Sequence, residues 1–430
     1  MKICRISLLS ALMLAATTTG VLNAQVQSFS GRDSFFMPPG PADYPTDVGQ
    51  RPVGENNTGF NPLGFLAGTP LKFSASVREG YDSNVFTTRT DPTASMYTNL
   101  AAGVDYSFGG PRLKLDANLG GGVTYYYTRP GNKNDFNGQF ALNAVYLATP
   151  KLTISIGTST AYLAQPDTNI IGGTNRVNGD YIYTNTSIDA AYQWTQKFST
   201  VTGYQFYANY YLEQSLNDTQ SFVSQTLHQS FRWLLLPKTT ILVEYRANPI
   251  TYWGGAGLNS FGNFALVGFD QIFNPRFKWT LRLGAEQRFN QNPVDGDSVY
   301  FGPYMESNLS YQFGPASTLS WNARYGTEPS GLTNVTQRET FRTGLAVNHA
   351  FTPRISANLG FNFEVDYFDQ PGVVGSFYET IFDATVGVNF KVNRAISLSA
   401  GYQFVSVYAP ENINFEYTRN VAFAGVNFFF

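Results

Sequence analysis

Alternation of apolar and polar residues, sustained far longer than a soluble sheet needs, governs this chain from Leu71 onward. Leu71, Phe73, Ala75 and Val77 alternate with Lys72, Ser74, Ser76 and Arg78. Ile355, Ala357, Leu359, Phe361, Phe363, Val365 and Tyr367 alternate with Ser356, Asn358, Gly360, Asn362, Glu364 and Asp366. Strand side chains point to opposite faces with period two, so each run is a strand with one apolar and one polar face. Soluble strands end after about five or six residues, whereas a membrane-crossing strand takes roughly 9–11. These runs are of the second kind.

The punctuation is equally regular. Tight breakers recur about every forty residues, at Pro111, Pro150, Gln196, Pro237, Pro275, Pro315, Pro353 and Arg394. Between them lie longer polar loops near 80–93, 128–135, 164–179, 213–221, 248–260, 290–297, 326–337, 369–377 and 408–416. Eight short turns and nine loops join eighteen strands, with sixteen as the alternative count. A β-propeller also repeats near this period, but its blades hold four short strands where this sequence has two long ones. The reading is an all-β fold, a transmembrane antiparallel up-and-down barrel over residues 71–430 with its short turns facing the periplasm. A closed barrel leaves no backbone N–H or C=O unpaired in hydrocarbon.

Composition removes the competing classes. Mean hydropathy is -0.18, too low for a protein of apolar membrane helices. The net charge of -2 lacks the basic excess of a nucleic-acid binder. One cysteine and two histidines leave little for thiol or zinc chemistry, and neither a cofactor nor a metal site is expected. At the N-terminus, Lys2 and Arg5 precede the apolar stretch Ile6–Ala16 and the small residue Ala24, the pattern of a cleaved export signal over 1–24. Residues 25–70, with Pro38, Pro39, Pro41, Pro45, Pro52 and Pro62, read as a Pro/Gly-rich periplasmic linker.

The last strand carries its own signature. Ala422, Ala424, Val426, Phe428 and Phe430 form one apolar row that ends at the terminal residue. This resembles the closing strand of bacterial outer-membrane barrels, whose terminal Phe is recognised by the barrel-assembly machinery. Phe430 is therefore the expected assembly signal. At the other end, Tyr81-Asp82-Ser83-Asn84-Val85-Phe86 follows the strand 73–80 and resembles the opening of the β-barrel porin 2 family. That resemblance implies an outer-membrane barrel, in some members linked to exopolysaccharide export, with no catalytic residues to carry over.

With the polar rows turned inward, Arg232, Arg246, Arg282, Arg288, Arg324 and Arg342 enter the lumen together with Glu306, Glu364 and Asp383, the expected pore-lining set. Two arrangements fit them. Separated stripes of opposite charge set a field across a wet channel; direct cross-strand pairs stiffen the wall. His228 and Ser230 lie two apart on one strand, as in outer-membrane phospholipases, but the row of Leu227, Phe231, Trp233 and Leu235 takes the lipid side and leaves the pair facing inward. Asp295-Gly296-Asp297 lacks a full calcium ligand set. No enzyme is expected. The leading function is passive diffusion of small hydrophilic solutes through a porin-like channel. Export of polysaccharide along inward aromatics such as Tyr207, Tyr211, Tyr300 and Tyr304 is the alternative, followed by a sealed structural barrel or a lipid-active enzyme. Expected partners are outer-membrane lipid, the assembly machinery and the transported solute or polysaccharide.

Overall fold

The structure, a computed structural model, describes residues 71–430 apart from 165–178, 254–257, 292–297, 315, 331–336, 370–375 and 411–415. The expected export signal, the linker and Asp295-Gly296-Asp297 lie outside the described residues. Eighteen strands run in chain order: β1 Leu71–Asp82, β2 Ser95–Gly109, β3 Leu113–Tyr126, β4 Asn134–Thr149, β5 Leu152–Leu163, β6 Tyr181–Gln193, β7 Phe198–Tyr211, β8 Phe222–Leu236 and β9 Thr239–Tyr252. They continue with β10 Ser260–Asn274, β11 Phe277–Asn290, β12 Val299–Gly314, β13 Ser317–Pro329, β14 Gln337–Ala350, β15 Ile355–Phe368, β16 Phe377–Lys391, β17 Ile396–Tyr408 and β18 Tyr417–Phe429. Among the described residues one short helix, α1 (Gln214–Gln220), sits in the loop between β7 and β8.

Every strand pairs antiparallel with its chain neighbours, and β1 pairs with β18, so the sheet closes into an eighteen-stranded barrel. Closure is completed by two backbone bonds between Phe73 and Phe430, at 3.2 and 2.9 Å. Seven of the eight breakers stand in short turns, and Pro315 lies outside the described residues. Several turns are held by a side chain that imitates a backbone turn: Thr352 Oγ1 accepts from the Ile355 N–H at 3.0 Å, and Asn393 Oδ1 from those of Ala395 and Ile396 at 2.8 and 2.9 Å.

The two faces separate as the alternation dictates. Leu359 is 55% exposed on the outer row of β15, while Glu364 and Asp366 on the inner row are buried. Leu119, Phe136, Val267 and Phe301 likewise stand out from the wall, a belt too continuous for water and suited to acyl chains. Inside, at the loop end, lie buried aromatic clusters. Tyr181, Tyr207, Tyr211, Phe222, Ile250, Tyr252 and Leu258 form one, with Leu216 of α1 packed on it. Val85, Tyr97, Tyr126, Val421 and Phe423 form another, beneath the β1–β18 closure.

Several sequence-assigned loops are shorter than their composition suggested. Glu328 was assigned to the 326–337 loop but lies on β13, Asp82 lies on β1, and Asn248 and Tyr252 lie on β9. Inner positions carry polar residues and glycine without leaving the strand, so near the ends they look like loop.

Candidate functional site: the charged inner wall

Parity places the inner side chains. On β9 the buried residues are Leu242, Glu244, Asn248, Ile250 and Tyr252, on the same face as Arg246, whereas Ile241, Val243 and Tyr245 are exposed outside. The same alternation on neighbouring strands brings all six expected arginines to the inner face, and each meets a carboxylate directly. Arg246 donates from Nε to Glu244 Oε1 at 2.5 Å and from Nη2 to Glu306 Oε2 at 2.9 Å. Its Nη1 also reaches the Tyr304 hydroxyl at 3.1 Å. Arg282 pairs with Asp270 Oδ1 at 2.7 Å, and Arg232 bonds to the other oxygen of that carboxylate. Arg288 pairs with Glu286 Oε1 at 2.6 Å.

Glu328 is the hub of the next group. It accepts from Arg324 at 3.1 Å, Arg338 at 3.1 Å and Arg342 at 3.0 Å. Arg342 also binds Glu364 at 2.5 Å, and Arg338 binds Asp366 at 2.7 Å and Glu364 at 3.2 Å. Of the expected acids, Glu306 and Glu364 thus join the arginines, and Asp383 accepts from Gln403 Nε2 at 3.2 and 3.1 Å. Seven guanidinium groups (Arg232, Arg246, Arg282, Arg288, Arg324, Arg338, Arg342) meet seven carboxylates (Glu244, Asp270, Glu286, Glu306, Glu328, Glu364, Asp366), so the network is neutral.

The geometry is therefore that of paired charges. A guanidinium with a carboxylate on its edge projects a dipolar field that dies off quickly, and its planar fork lets one Arg bridge two acids. Buried pairs of this kind are expensive to break, about 3–5 kcal/mol when one partner is removed. Arg246 and Arg288 reach partners on strands beyond their immediate neighbours, and Arg338 ties β14 to both of its neighbours, which braces the wall across its width.

Asp270, Glu328 and Arg338 were missed by sequence reasoning. Their signal is parity: each falls on the inner row when the alternation is carried to the strand end. His228 and Ser230 face inward as expected, with His228 Nε2 at 3.4 Å from Asp189 Oδ1 on β6. Gly203 of β7 lies between them, and a Cβ there would collide with both side chains. His349 sits at the turn end, its Nδ1 2.7 Å from Ser317 Oγ and its ring between Phe313 and Phe351. Tyr207, Tyr211 and Tyr304 point inward but are buried in the aromatic clusters.

The Asp82 and Asn84 positions of the opening motif are structural. Asp82 is buried and accepts from Arg419 Nη2 of β18 at 2.6 Å. Asn84 binds the Thr88 carbonyl at 2.8 Å and the Thr418 carbonyl at 3.2 Å. The motif seals the seam between first and last strands.

An eighteen-stranded antiparallel barrel with an apolar outer belt and a polar, ion-paired inner wall is an outer-membrane β-barrel. No family model matches the sequence, and no curated protein matches it. Among solved structures it is similar to OccAB4 of Acinetobacter baumannii, at 11% identity over 84% of this chain and 98% of that one, with a TM-score of 0.40. OccK2 (OpdF) of Pseudomonas aeruginosa, solved in complex with glucuronate, is 8% identical over 83% of this chain and 98% of that one, with a TM-score of 0.45. OpdK of the same organism is 9% identical over 84% and 99%, with a TM-score of 0.42.

Proposed function

We propose that the chain is a porin-like channel that lets small hydrophilic solutes cross the outer membrane by passive diffusion. The observation that carries this reading is the charged inner wall. Fourteen ionised side chains on the inner face of a closed barrel are costly beside hydrocarbon and sensible beside water. Barrels of about 16–18 strands are wide enough for an aqueous lumen. In this reading Arg232, Arg246, Arg282, Arg288, Arg324, Arg342, Glu306, Glu364 and Asp383 line the path, and Phe430 is the residue that the assembly machinery reads.

Because the charges are paired, such a channel discriminates weakly between anions and cations. Purified protein in planar bilayers should give discrete conductance steps with a reversal potential near zero in a salt gradient. Arg342→Ser removes one arginine from Glu364 and one from Glu328, leaves the wall with an excess of negative charge and should move the reversal potential towards cations. Folded protein that shows no steps, or a shift towards anions, would refute the reading.

A further inference from the structure

At the loop end of β12 and β13 two strands run side by side without pairing. β12 pairs with β13 only from Met305↔Tyr325 to the short turn, although β12 begins at Val299 and β13 continues to Pro329. On their far sides both strands stay in register, β12 with β11 up to Val299 and β13 with β14 up to Pro329. The gap therefore belongs to this seam alone and is not fraying of a strand end.

Its cause is in the sequence. The Asn290 N–H donates to the Ser298 carbonyl, which fixes the even residues of β12 as those bonded to β11 and turns the odd ones towards β13. The Ala350 N–H donates to the Ala316 carbonyl, so the odd residues of β13 likewise face β12. Continuing the register past Met305↔Tyr325 requires two hydrogen-bonded rungs, Pro303 with Thr327 and Phe301 with Pro329. Each contains a proline whose missing N–H points into the seam, and proline belongs at strand edges. Pro249 does the same on a smaller scale, opposite the unpaired Gln225 and Thr226 of β8.

What replaces the rungs is a side-chain latch. The Thr327 N–H donates to Glu286 Oε2 at 3.1 Å, and Arg288 Nε donates to Thr327 Oγ1 at 2.9 Å. Both partners belong to β11, so β13 leans inward across the face of β12. On the outer row, the Tyr325 hydroxyl of β13 donates to Glu339 Oε2 of β14 at 2.6 Å.

Apolar side chains flank the seam on both sides. Outside, Phe301 is 73% exposed. Inside, Tyr304 packs edge-on against Phe264 at 5.1 Å beside Leu266, reaching them across Gly284, and all three are buried while the seam is latched. Arg324, at the foot of the seam and above the Tyr304 ring at 5.8 Å, has a third of its side chain exposed.

We propose that the β12–β13 seam is a lateral door through which a single-chain amphiphile with an anionic head passes between the barrel interior and the membrane, its head on Arg324 and its chain against Phe264, Leu266 and Tyr304, which the opened seam uncovers. The door needs the barrel to sit in a membrane and does not depend on conduction along the axis.

Cys4 is the sequence's one cysteine and residues 71–430 contain none, so a pair can be placed cleanly. The Pro303→Cys/Thr327→Cys protein is folded into vesicles reduced, then oxidised in place, so that the same molecules are compared open and locked. The probe is dansyl-undecanoate, transferred from the bilayer to the barrel and read by its emission. Wild-type and reduced protein should take up the probe well above protein-free vesicles. Oxidation should slow uptake at least about tenfold, and reduction should restore it. Pro303→Ala/Pro329→Ala, which returns both donors and should zip the seam, should also slow uptake. Arg324→Gln should weaken binding of the carboxylate probe more than that of its alcohol analogue. Equal uptake by locked and unlocked barrels, or no protein-dependent uptake by the wild type, would overturn the proposal.

Discussion

The barrel has two seams that differ from the rest of its wall, and they differ from one another in the opposite way from what chain connectivity suggests. The β1–β18 seam joins strands far apart in sequence, yet it is paired from Ser74↔Phe429 to Asp82↔Val421 and locked at its loop end by the Asp82–Arg419 pair. The β12–β13 seam joins strands linked by a tight turn, yet its loop end is unpaired and held by side chains. Proximity in the chain did not decide which seam is strong. The donors did: β1 and β18 supply every N–H that their register needs, whereas Pro303 and Pro329 withhold two.

The largest effect is expected at the strong seam. Asp82→Ala leaves Arg419 buried without its carboxylate and should cost about 3–5 kcal/mol, measured by reversible unfolding in lipid. A cost below about 1 kcal/mol would mean that the closure rests on backbone pairing alone. Next comes a control remote from both seams. Leu359→Arg on the outer row should cost about 2–4 kcal/mol near the bilayer midplane, and Asn358→Arg on the inner row much less. Equal costs would show that the faces are assigned the wrong way round.

At the weak seam, Thr327→Val keeps the shape and the backbone donor but deletes the hydroxyl between Glu286 and Arg288. It should cost about 1.5 kcal/mol or more and loosen the latch, visible as faster labelling of a cysteine placed at 303. The smallest effect is a gain. Pro303→Ala restores one donor towards Thr327 and should stabilise the barrel by about 1 kcal/mol. A loss of stability would mean that the proline shapes the strand and does more than withhold a hydrogen bond.

Much of this fold could be read before any coordinates. The alternation at Leu71–Arg78 and Ile355–Tyr367, together with breakers from Pro111 to Arg394, placed every strand and every short turn. The six arginines were legible because they alternate with apolar neighbours. What stayed hidden was pairing. Whether Arg246 meets Glu306 depends on the stagger of β9 against β12, and no local pattern encodes stagger between strands that do not touch. Glu328 and Arg338 were hidden by the composition of the loop between them. Pro303 and Pro329 were visible but lacked meaning until the register showed where their missing donors point.

Amide hydrogen exchange on the membrane-embedded barrel tests the contrast between the seams most directly. The Phe301 amide faces β13 without a backbone rung among the described residues, whereas the Tyr81 amide faces β18 within a continuous ladder. Phe301 should exchange at least about 100-fold faster than Tyr81, and Pro303→Ala/Pro329→Ala should close most of that difference. Equal, slow exchange at both positions in the wild-type protein would contradict the account, because it would mean that β12 and β13 are zipped to the top.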